Sequence, residues 1–236
     1  MRTPAQALRL ASGLATGALL ALTSLTWPAP DAGAAVNQSP TLAQARKDLL
    51  VLSDMPSGWT STKNPNTANN NVGNTQLAHC TGISKSLISE NPPSVYSRQF
   101  QNPQGTLTVA DNVAVFPSAK NATAEYAIGD NAKFPGCLTS LASGPLKGKL
   151  FGKLPKGTTL GTPLVSPVAA SAFGPDVDGY SLSVPVTSQG ETLNLTVTEL
   201  VTVKGRLGHQ VTFTSAGSPF SLALEQQIMK VAAGRL

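Results

Sequence analysis

The residues best suited to chemistry in this chain lie in two alternating segments near its C-terminus. Residues 192–203 place leucine and valine on one row, and Glu199 occupies that same row. Residues 207–215 repeat the pattern, with His209 inside the apolar row. A three-residue turn at 204–206 makes Glu199 and His209 diagonal neighbours about 7 Å apart. That turn pairs Val203 with Leu207, Val201 with His209 and Glu199 with Val211.

Tyrosine and arginine side chains extend this polar set on the neighbouring hairpins. A two-residue turn at Gln189 and Gly190 sets Tyr180 opposite Glu199, so the phenol could donate a hydrogen bond to the carboxylate. The same logic in the first hairpin puts Tyr96, Arg98 and Phe100 on one face with Asp111 and makes Arg98 and Asp111 diagonal. The candidate ligand-binding residues are therefore Tyr180, Glu199, His209, Tyr96, Arg98 and Asp111.

Three interpretations of the polar set remain open. The residues could be satisfied structural groups at a sheet end or bulge, since a buried charge needs a partner. They could instead line a ligand pocket, because such pockets combine apolar walls with a few convergent polar groups. Catalysis is the weakest interpretation, because no nucleophile motif or metal set accompanies the two histidines of the chain. We expect no catalytic residue, metal or cofactor.

A lysine-rich and glycine-rich stretch at 144–157 is a weaker signal. It lacks the spacing of a phosphate-binding loop, and a solvated loop is the main interpretation. The alternative is contact with an anionic envelope lipid or polymer through Lys147, Lys149, Lys153 and Lys156. The Asp-x-Asp-Gly sequence at 176–179 predicts a turn and not a calcium loop.

Hydrophobic periodicity predicts helices around a run of strands. A helix opens at Ser39 and Pro40, a short helix covers 77–89, a helical stretch interrupted near 134–136 covers 118–141, and a last helix opens at Ser218 and Pro219. Strands are expected at 95–101, 106–116, 159–168, 180–187, 192–203 and 207–215. Residues 60–76 are Asn/Thr-rich and predict a mobile loop. The pattern indicates an α+β domain over 35–236, with an antiparallel sheet of about five to six strands covered by helices.

The N-terminus has the features of an export signal. Arg2 and Arg9 precede an uncharged Ala/Leu-rich run, and Ala32-Gly33-Ala34 offers a cleavage site, so residues 1–34 are expected to be removed. Retention of the segment as an anchor is the alternative. In an oxidising compartment the two cysteines, Cys80 and Cys137, are expected to form one disulfide.

Charge and composition narrow the classes of partner. The formal net charge is +5, which is too diffuse for a nucleic-acid-binding face. Nucleotide binding is not expected either, since an exported protein meets no ATP pool. The remaining candidates are a small molecule and an envelope lipid.

Several short segments resemble a family of exported proteins. Residues 49–59 look like the opening of small exported actinobacterial proteins and lipoproteins. Cys80, Phe100, the passage 113–119 and Cys137 resemble the extracellular sensor domains of mycobacterial receptor Ser/Thr kinases. The resemblance covers most of 42–236 and implies a helix-covered antiparallel sheet with a cleft that binds an envelope ligand. Those domains have two disulfides and are joined to a kinase, so signalling is not carried over to this chain.

The sequence thus favours an exported, non-enzymatic binding or sensor-like domain of the bacterial envelope, with an apolar or amphipathic ligand as the candidate. A secreted hydrolase without a recognisable motif and a structural envelope protein are the alternatives. A Ser or Thr within hydrogen-bond reach of His209 would favour the hydrolase. An open cleft containing the polar set would favour the binding domain, and a closed, dry core would favour the structural protein.

Overall fold

A computed structural model describes most of the chain beyond its N-terminal segment. The described residues are 40–65, 79–82, 92–129, 131–144, 154–169, 172–174 and 176–236. The predicted signal, the greater part of the predicted loop and short helix, and the lysines at 147, 149 and 153 lie outside these residues.

An antiparallel sheet of nine strands dominates the described part of the chain. Its strands are β1 (Thr60–Thr62), β2 (Ser94–Tyr96), β3 (Gln99–Gln101), β4 (Leu107–Val115), β5 (Thr158–Leu160), β6 (Leu164–Pro167), β7 (Val177–Ser188), β8 (Glu191–Lys204) and β9 (Leu207–Ala216). The order across the sheet is β1-β3-β4-β9-β8-β7-β5, with β2 also paired to β4 and β6 to β7. The α+β class is confirmed, but the sheet is larger than the predicted five to six strands.

The extra strands have simple origins. Two predicted strands are each divided, 95–101 into β2 and β3 and 159–168 into β5 and β6. The third addition is β1, whose residues fall inside the segment predicted to be a mobile loop and pair with β3. All five of these strands have three or four residues, too few for alternation to identify them.

Four α-helices and a short 3-10 helix complete the described fold. They are α1 (Leu42–Asp48), the 3-10 helix (Leu52–Asp54), α2 (Ala119–Gly129), α3 (Phe134–Ser143) and α4 (Leu222–Arg235). The predicted helical stretch at 118–141 is interrupted between α2 and α3. Pro135 lies in the first turn of α3, where its missing amide hydrogen has no helical partner. In the part of the chain that the structure describes, the helices are too short or too polar to span a membrane.

Two helices begin a few residues later than their prolines suggested. In α1 the cap is Thr41, whose hydroxyl accepts from the Gln44 amide while the Gln44 side chain accepts from the Thr41 amide. In α4 the cap is Ser221, whose hydroxyl accepts from the Leu224 amide. A capping side chain satisfies a free amide of the first turn, so the residue that caps marks the start of both helices more accurately than the Ser-Pro pairs do.

The hairpin between β7 and β8 has the predicted register. Gln189 and Gly190 form its turn, with φ angles of 55° and 83°. Such left-handed angles at both central positions suit the twist of a two-residue hairpin. The turn places Tyr180 opposite Glu199, as expected.

The hairpin between β8 and β9 differs from the prediction by one residue. Its turn contains only Gly205 and Arg206, so Lys204 pairs with Leu207, Thr202 with His209 and Glu199 with Thr212. Opposed residues share a face and side chains alternate, so a one-residue shift moves a whole strand to the other face. Glu199 and His209 therefore lie on opposite faces of the sheet, and the predicted diagonal contact between them is wrong.

A bulge changes the faces in the first hairpin as well. Val95 pairs with Val113 in β2, whereas Phe100 pairs with Val109 in β3. The spacing from Val95 to Phe100 is one residue longer than the spacing between their partners Val113 and Val109. The connecting residues 97–98 therefore contain one extra residue opposite β4, which is a bulge. Val95 and Phe100 consequently share a face, and the predicted row of Tyr96, Arg98 and Phe100 does not exist.

Helices and loops cover both faces of the sheet. The face that carries His209, called here the His209 face, packs Leu200, Val211 and Phe213 against α4 through Ile228 and Met229. The other face, called the Glu199 face, packs against α2 and α3. Its larger core holds Phe134, Leu138, Leu141, Tyr180, Leu182, Val184 and Val197.

The predicted disulfide is present between Cys80 and Cys137. The two residues are 57 positions apart, and Cys137 is buried in α3. The bridge therefore fixes α3, which covers the Glu199 face, to the helical turn at 79–81.

Candidate functional site

Three strands bring a buried polar cluster together on the Glu199 face. Glu199 on β8 is fully buried, and its Oε2 accepts a hydrogen bond of 2.7 Å from the Tyr180 hydroxyl on β7. The same oxygen accepts a second bond, of 2.6 Å, from Nε2 of Gln210 on β9. We call Tyr180, Glu199 and Gln210 the Glu199 cluster. It joins three adjacent strands of the sheet.

Burial governs the protonation of this cluster. Loss of solvent raises the pKa of Glu199 from 4.5 to about 7, although the hydrogen bonds from Tyr180 and Gln210 oppose the rise. Burial and the neighbouring Glu199 also raise the pKa of Tyr180 well above its ordinary value. The phenol therefore stays protonated and donates a hydrogen bond to Glu199. The site therefore holds one carboxyl that changes charge near neutral pH.

Two atoms at the centre of the site lack the partners that burial demands. Glu199 Oε1 and Thr212 Oγ1 have no hydrogen-bond partner among the residues that the structure describes, and both are buried. Thr212 lies directly opposite Glu199 in the β8–β9 ladder, so the two side chains share one face. Unmet groups of this kind are rare in folded proteins and call for a specific explanation.

Apolar residues surround the polar cluster. Phe134 of α3 packs on Tyr180 with ring centroids 5.0 Å apart, and Leu138 and Val197 belong to the same buried core. No lysine or arginine is buried in the described part of the chain. The surroundings thus offer apolar contact and hydrogen bonding but no counter-charge for an anion.

Close backbone packing supports the strand that carries Glu199. A Cβ added at Gly179 of β7 would lie 2.1 Å from the Glu199 carbonyl oxygen. Only glycine permits this approach of β7 to β8, one residue before Tyr180.

His209 takes part in a separate buried pair on the His209 face. Its Nε2 lies 2.7 Å from Asp111 Oδ2 on β4 and donates to it, and both side chains are fully buried. The Leu50 amide donates to the same oxygen at 3.0 Å. The pair therefore ties the segment after α1 to the centre of the sheet.

The remaining candidates lie apart from both buried sets. Arg98 is exposed, and its guanidinium donates to the hydroxyl and the carbonyl oxygen of Ser61, so its predicted pairing with Asp111 is wrong. Tyr96 is half-buried and pairs with Asn112 on the Glu199 face, away from Asp111. Of the four lysines, Lys156 alone is described, and it is exposed.

The register error explains which residues sequence reasoning missed. Placing His209 in the core row with Glu199 puts Gln210 and Thr212 in the other row of the strand, because side chains alternate between the two faces. A two-residue turn at Gly205 and Arg206 would have exchanged the two rows and revealed both residues. Gly205 has a φ of 60°, which suits that turn.

The geometry offers little support for catalysis at the histidine. One ring nitrogen of His209 is held by Asp111, and Nδ1 contacts no hydrogen-bonding group within the described residues, so no serine or threonine there is activated by it. The described residues also contain no group of three or more His, Cys, Asp or Glu side chains that could hold a metal ion.

Comparison with known proteins gives similarity to solved structures but not to families or curated sequences. No protein-family model matches this sequence, and no curated protein matches it. Among solved structures, the chain is similar to the extracellular domain of PknH from Mycobacterium tuberculosis, with 12% identity over 84% of this chain and 97% of that chain and a TM-score of 0.40. The resemblance to extracellular domains of mycobacterial kinases is thus present as a weak one. At this TM-score it carries no argument about function.

Proposed function

We propose that this protein is an exported, non-enzymatic binding domain of the bacterial cell envelope. It holds an apolar or amphipathic ligand between the sheet and its helices, at the Glu199 cluster. One observation carries the proposal: a fully buried carboxyl has an unpartnered oxygen beside an unpartnered threonine hydroxyl, inside an otherwise apolar core.

The energetic argument starts from the cost of that arrangement. An unmet buried polar atom costs about 1–3 kcal/mol, and a buried carboxylate costs more. The strands that carry Tyr180, Glu199 and Gln210 are already joined by long continuous ladders, so the cluster adds no connection that the backbone lacks. A ligand that supplies the missing hydrogen bonds recovers this cost on binding.

The type of ligand follows from the walls of the site. Phe134, Leu138 and Val197 offer apolar contact, and the polar contribution comes from Glu199 and Thr212. Sites that combine apolar walls with a few placed polar groups bind small molecules or lipid chains. This composition supports an amphipathic ligand over a highly charged one.

Export is supported by the cysteine pair and by the N-terminal sequence. The Cys80–Cys137 disulfide is typical of proteins that fold outside the reducing cytoplasm. Residues 1–34 have the charge and hydrophobic pattern of a cleavable signal peptide, which supports export by secretion.

Native mass spectrometry of the protein recovered from its own culture medium tests the proposal. We expect a species heavier than the cleaved chain that loses a small molecule on activation. Displacement of N-phenyl-1-naphthylamine, a neutral apolar dye, gives an independent readout after delipidation. Val197→Ala removes apolar contact from the site and should weaken dye binding, and Arg98→Ala, on the exposed edge, serves as the control. A protein that carries no molecule and binds no dye would overturn the proposal.

A further inference from the structure

The unpartnered atoms of Glu199 and of Thr212, which lies opposite it, have complementary hydrogen-bonding capacity. Glu199 Oε2 already accepts two hydrogen bonds, so the unmet capacity of the carboxyl is at Oε1. A carboxylate oxygen only accepts, whereas the Thr212 hydroxyl can donate one bond and accept others. The pair lies on adjacent strands at directly opposed positions, which separates the Cβ atoms by about 4.5–5.5 Å.

We propose that the ligand of this site presents an uncharged hydroxyl group to Glu199 Oε1 and Thr212 Oγ1, with its apolar part against the core residues of α3. The ligand hydroxyl donates a hydrogen bond to Glu199 Oε1, and its oxygen accepts a hydrogen bond from the Thr212 hydroxyl. This inference rests on the proposed function and adds the chemical class of the ligand, an alcohol with an apolar body.

Charged head groups fit the same two atoms poorly. An ammonium group would pair with the Glu199 carboxylate, but it brings three donors and the site has only Oε1 and the threonine oxygen to accept them, so one N–H would stay buried and unmet. A carboxylate brings no donor for Oε1, and the described buried residues include no lysine or arginine to neutralise it. A hydroxyl brings one donor and an acceptor, which matches what is unmet.

A series of eight-carbon probes tests the assignment on the full, delipidated protein. Octan-1-ol and 1-methoxyheptane are isomers of equal size, but only the alcohol can donate to Glu199. Affinity is measured as displacement of N-phenyl-1-naphthylamine, with octanoate and octylammonium as charged members. We expect the alcohol to bind about fivefold to tenfold more tightly than the ether, because a net hydrogen bond contributes about 1 kcal/mol.

Two neighbouring threonines supply a matched pair of variants. Thr212→Val removes the hydroxyl without changing the shape of the side chain and should weaken octan-1-ol binding about fivefold. Thr214→Val changes the same face of β9 two residues away, where the threonine oxygen is not among the buried unpartnered atoms, and should leave the affinity unchanged. Thr212→Ser keeps the hydroxyl and should retain wild-type selectivity, which separates loss of the hydroxyl from loss of folding.

The possible failures distinguish the inference from the proposed function. If no probe and no dye binds, the binding function itself is overturned. If the alcohol and the ether bind equally, or if Thr212→Val leaves alcohol binding intact, the domain still binds apolar molecules but the hydroxyl assignment is wrong. Preference for octanoate or octylammonium overturns the assignment in favour of a charged head group.

Discussion

The two faces of the sheet each bury a carboxyl, but the two carboxyls are used differently. Asp111, on the His209 face, accepts from His209 and from the Leu50 amide, partners that are 98 and 61 residues away in the chain. Glu199, on the other face, accepts from side chains 19 and 11 residues away on strands that its own strand already pairs with. His209 lies on β9, which the ladder already pairs with β4, so the connection that Asp111 adds is the one to the Leu50 amide. Both partners of Glu199 lie on strands that its own strand already pairs with. A buried polar group that adds no structural connection is the better candidate for a function.

The largest expected contrast comes from removing a partner on each face. Asp111→Ala leaves His209 and the Leu50 amide buried without an acceptor and should lower the free energy of unfolding by about 3–5 kcal/mol. Tyr180→Phe removes one of the two donors to Glu199 and should cost only about 1 kcal/mol. Urea unfolding of both variants at one pH measures the difference. Equal losses would show that the Glu199 cluster is as structural as the Asp111 pair.

The disulfide should stabilise mainly the Glu199 face. Replacing Cys80 and Cys137 by serine opens a loop whose closure contributes about 4 kcal/mol in the chain-entropy estimate, less any native strain. Because the bridge holds α3, native-state hydrogen exchange should show α3 amides losing more protection than those of α4. Uniform loss over both helices would contradict a face-specific role.

The pH dependence of stability should report Glu199. Its pKa is about 7 in the fold against 4.5 for an ordinary glutamate, so between these values the folded state keeps a proton that the unfolded state releases. The free energy of unfolding therefore falls as the pH rises from about 4.5 to 7, by about 3 kcal/mol in total. Glu199→Gln should flatten this slope in urea unfolding between pH 4.5 and 8.

Glu225 provides the control for that slope. Burial also raises its pKa to about 7, but it lies on α4 with its side chain partly exposed. Solvent screening reduces its effect on stability, so Glu225→Gln should flatten the slope less than Glu199→Gln does. The reverse order would place the principal ionisation on the His209 face.

How much the sequence could reveal differs from one hairpin to the next. The register of the β7–β8 hairpin was predictable, because the alternation continues up to Gln189 and Gly190 from both sides and leaves only these two residues for the turn. The β8–β9 hairpin was not, because residues 204–206 accommodate a two-residue or a three-residue turn. Alternation cannot choose between them when polar residues occupy both rows, as Glu199, His209 and Gln210 do.

The bulge at Ser97 shows a second limit of sequence reasoning. The Ser97 amide donates to the Asp111 carbonyl, and the Ser97 hydroxyl accepts from the Asp111 amide. The Ser97 hydroxyl thus replaces a backbone carbonyl as the acceptor, at the point where the strand contains one extra residue. Alternation contains no signal for such a substitution, so the α+β class and the Tyr180–Glu199 contact could be predicted, but the face of Arg98 could not.

The smallest expected effect is also the one that tests the difference between the faces most directly. Thr212→Val removes a buried hydroxyl that has no partner among the described residues, so in ligand-free protein it should raise the free energy of unfolding by about 1 kcal/mol. Thr214→Val, on the same strand and face, should not raise it. A stability loss at Thr212 would show that a structural water already satisfies the hydroxyl. The proposed site would then keep only Glu199 Oε1 unmet, just as the His209 face keeps Asp111 Oδ1 without a partner among the described residues, and this difference between the two faces would disappear.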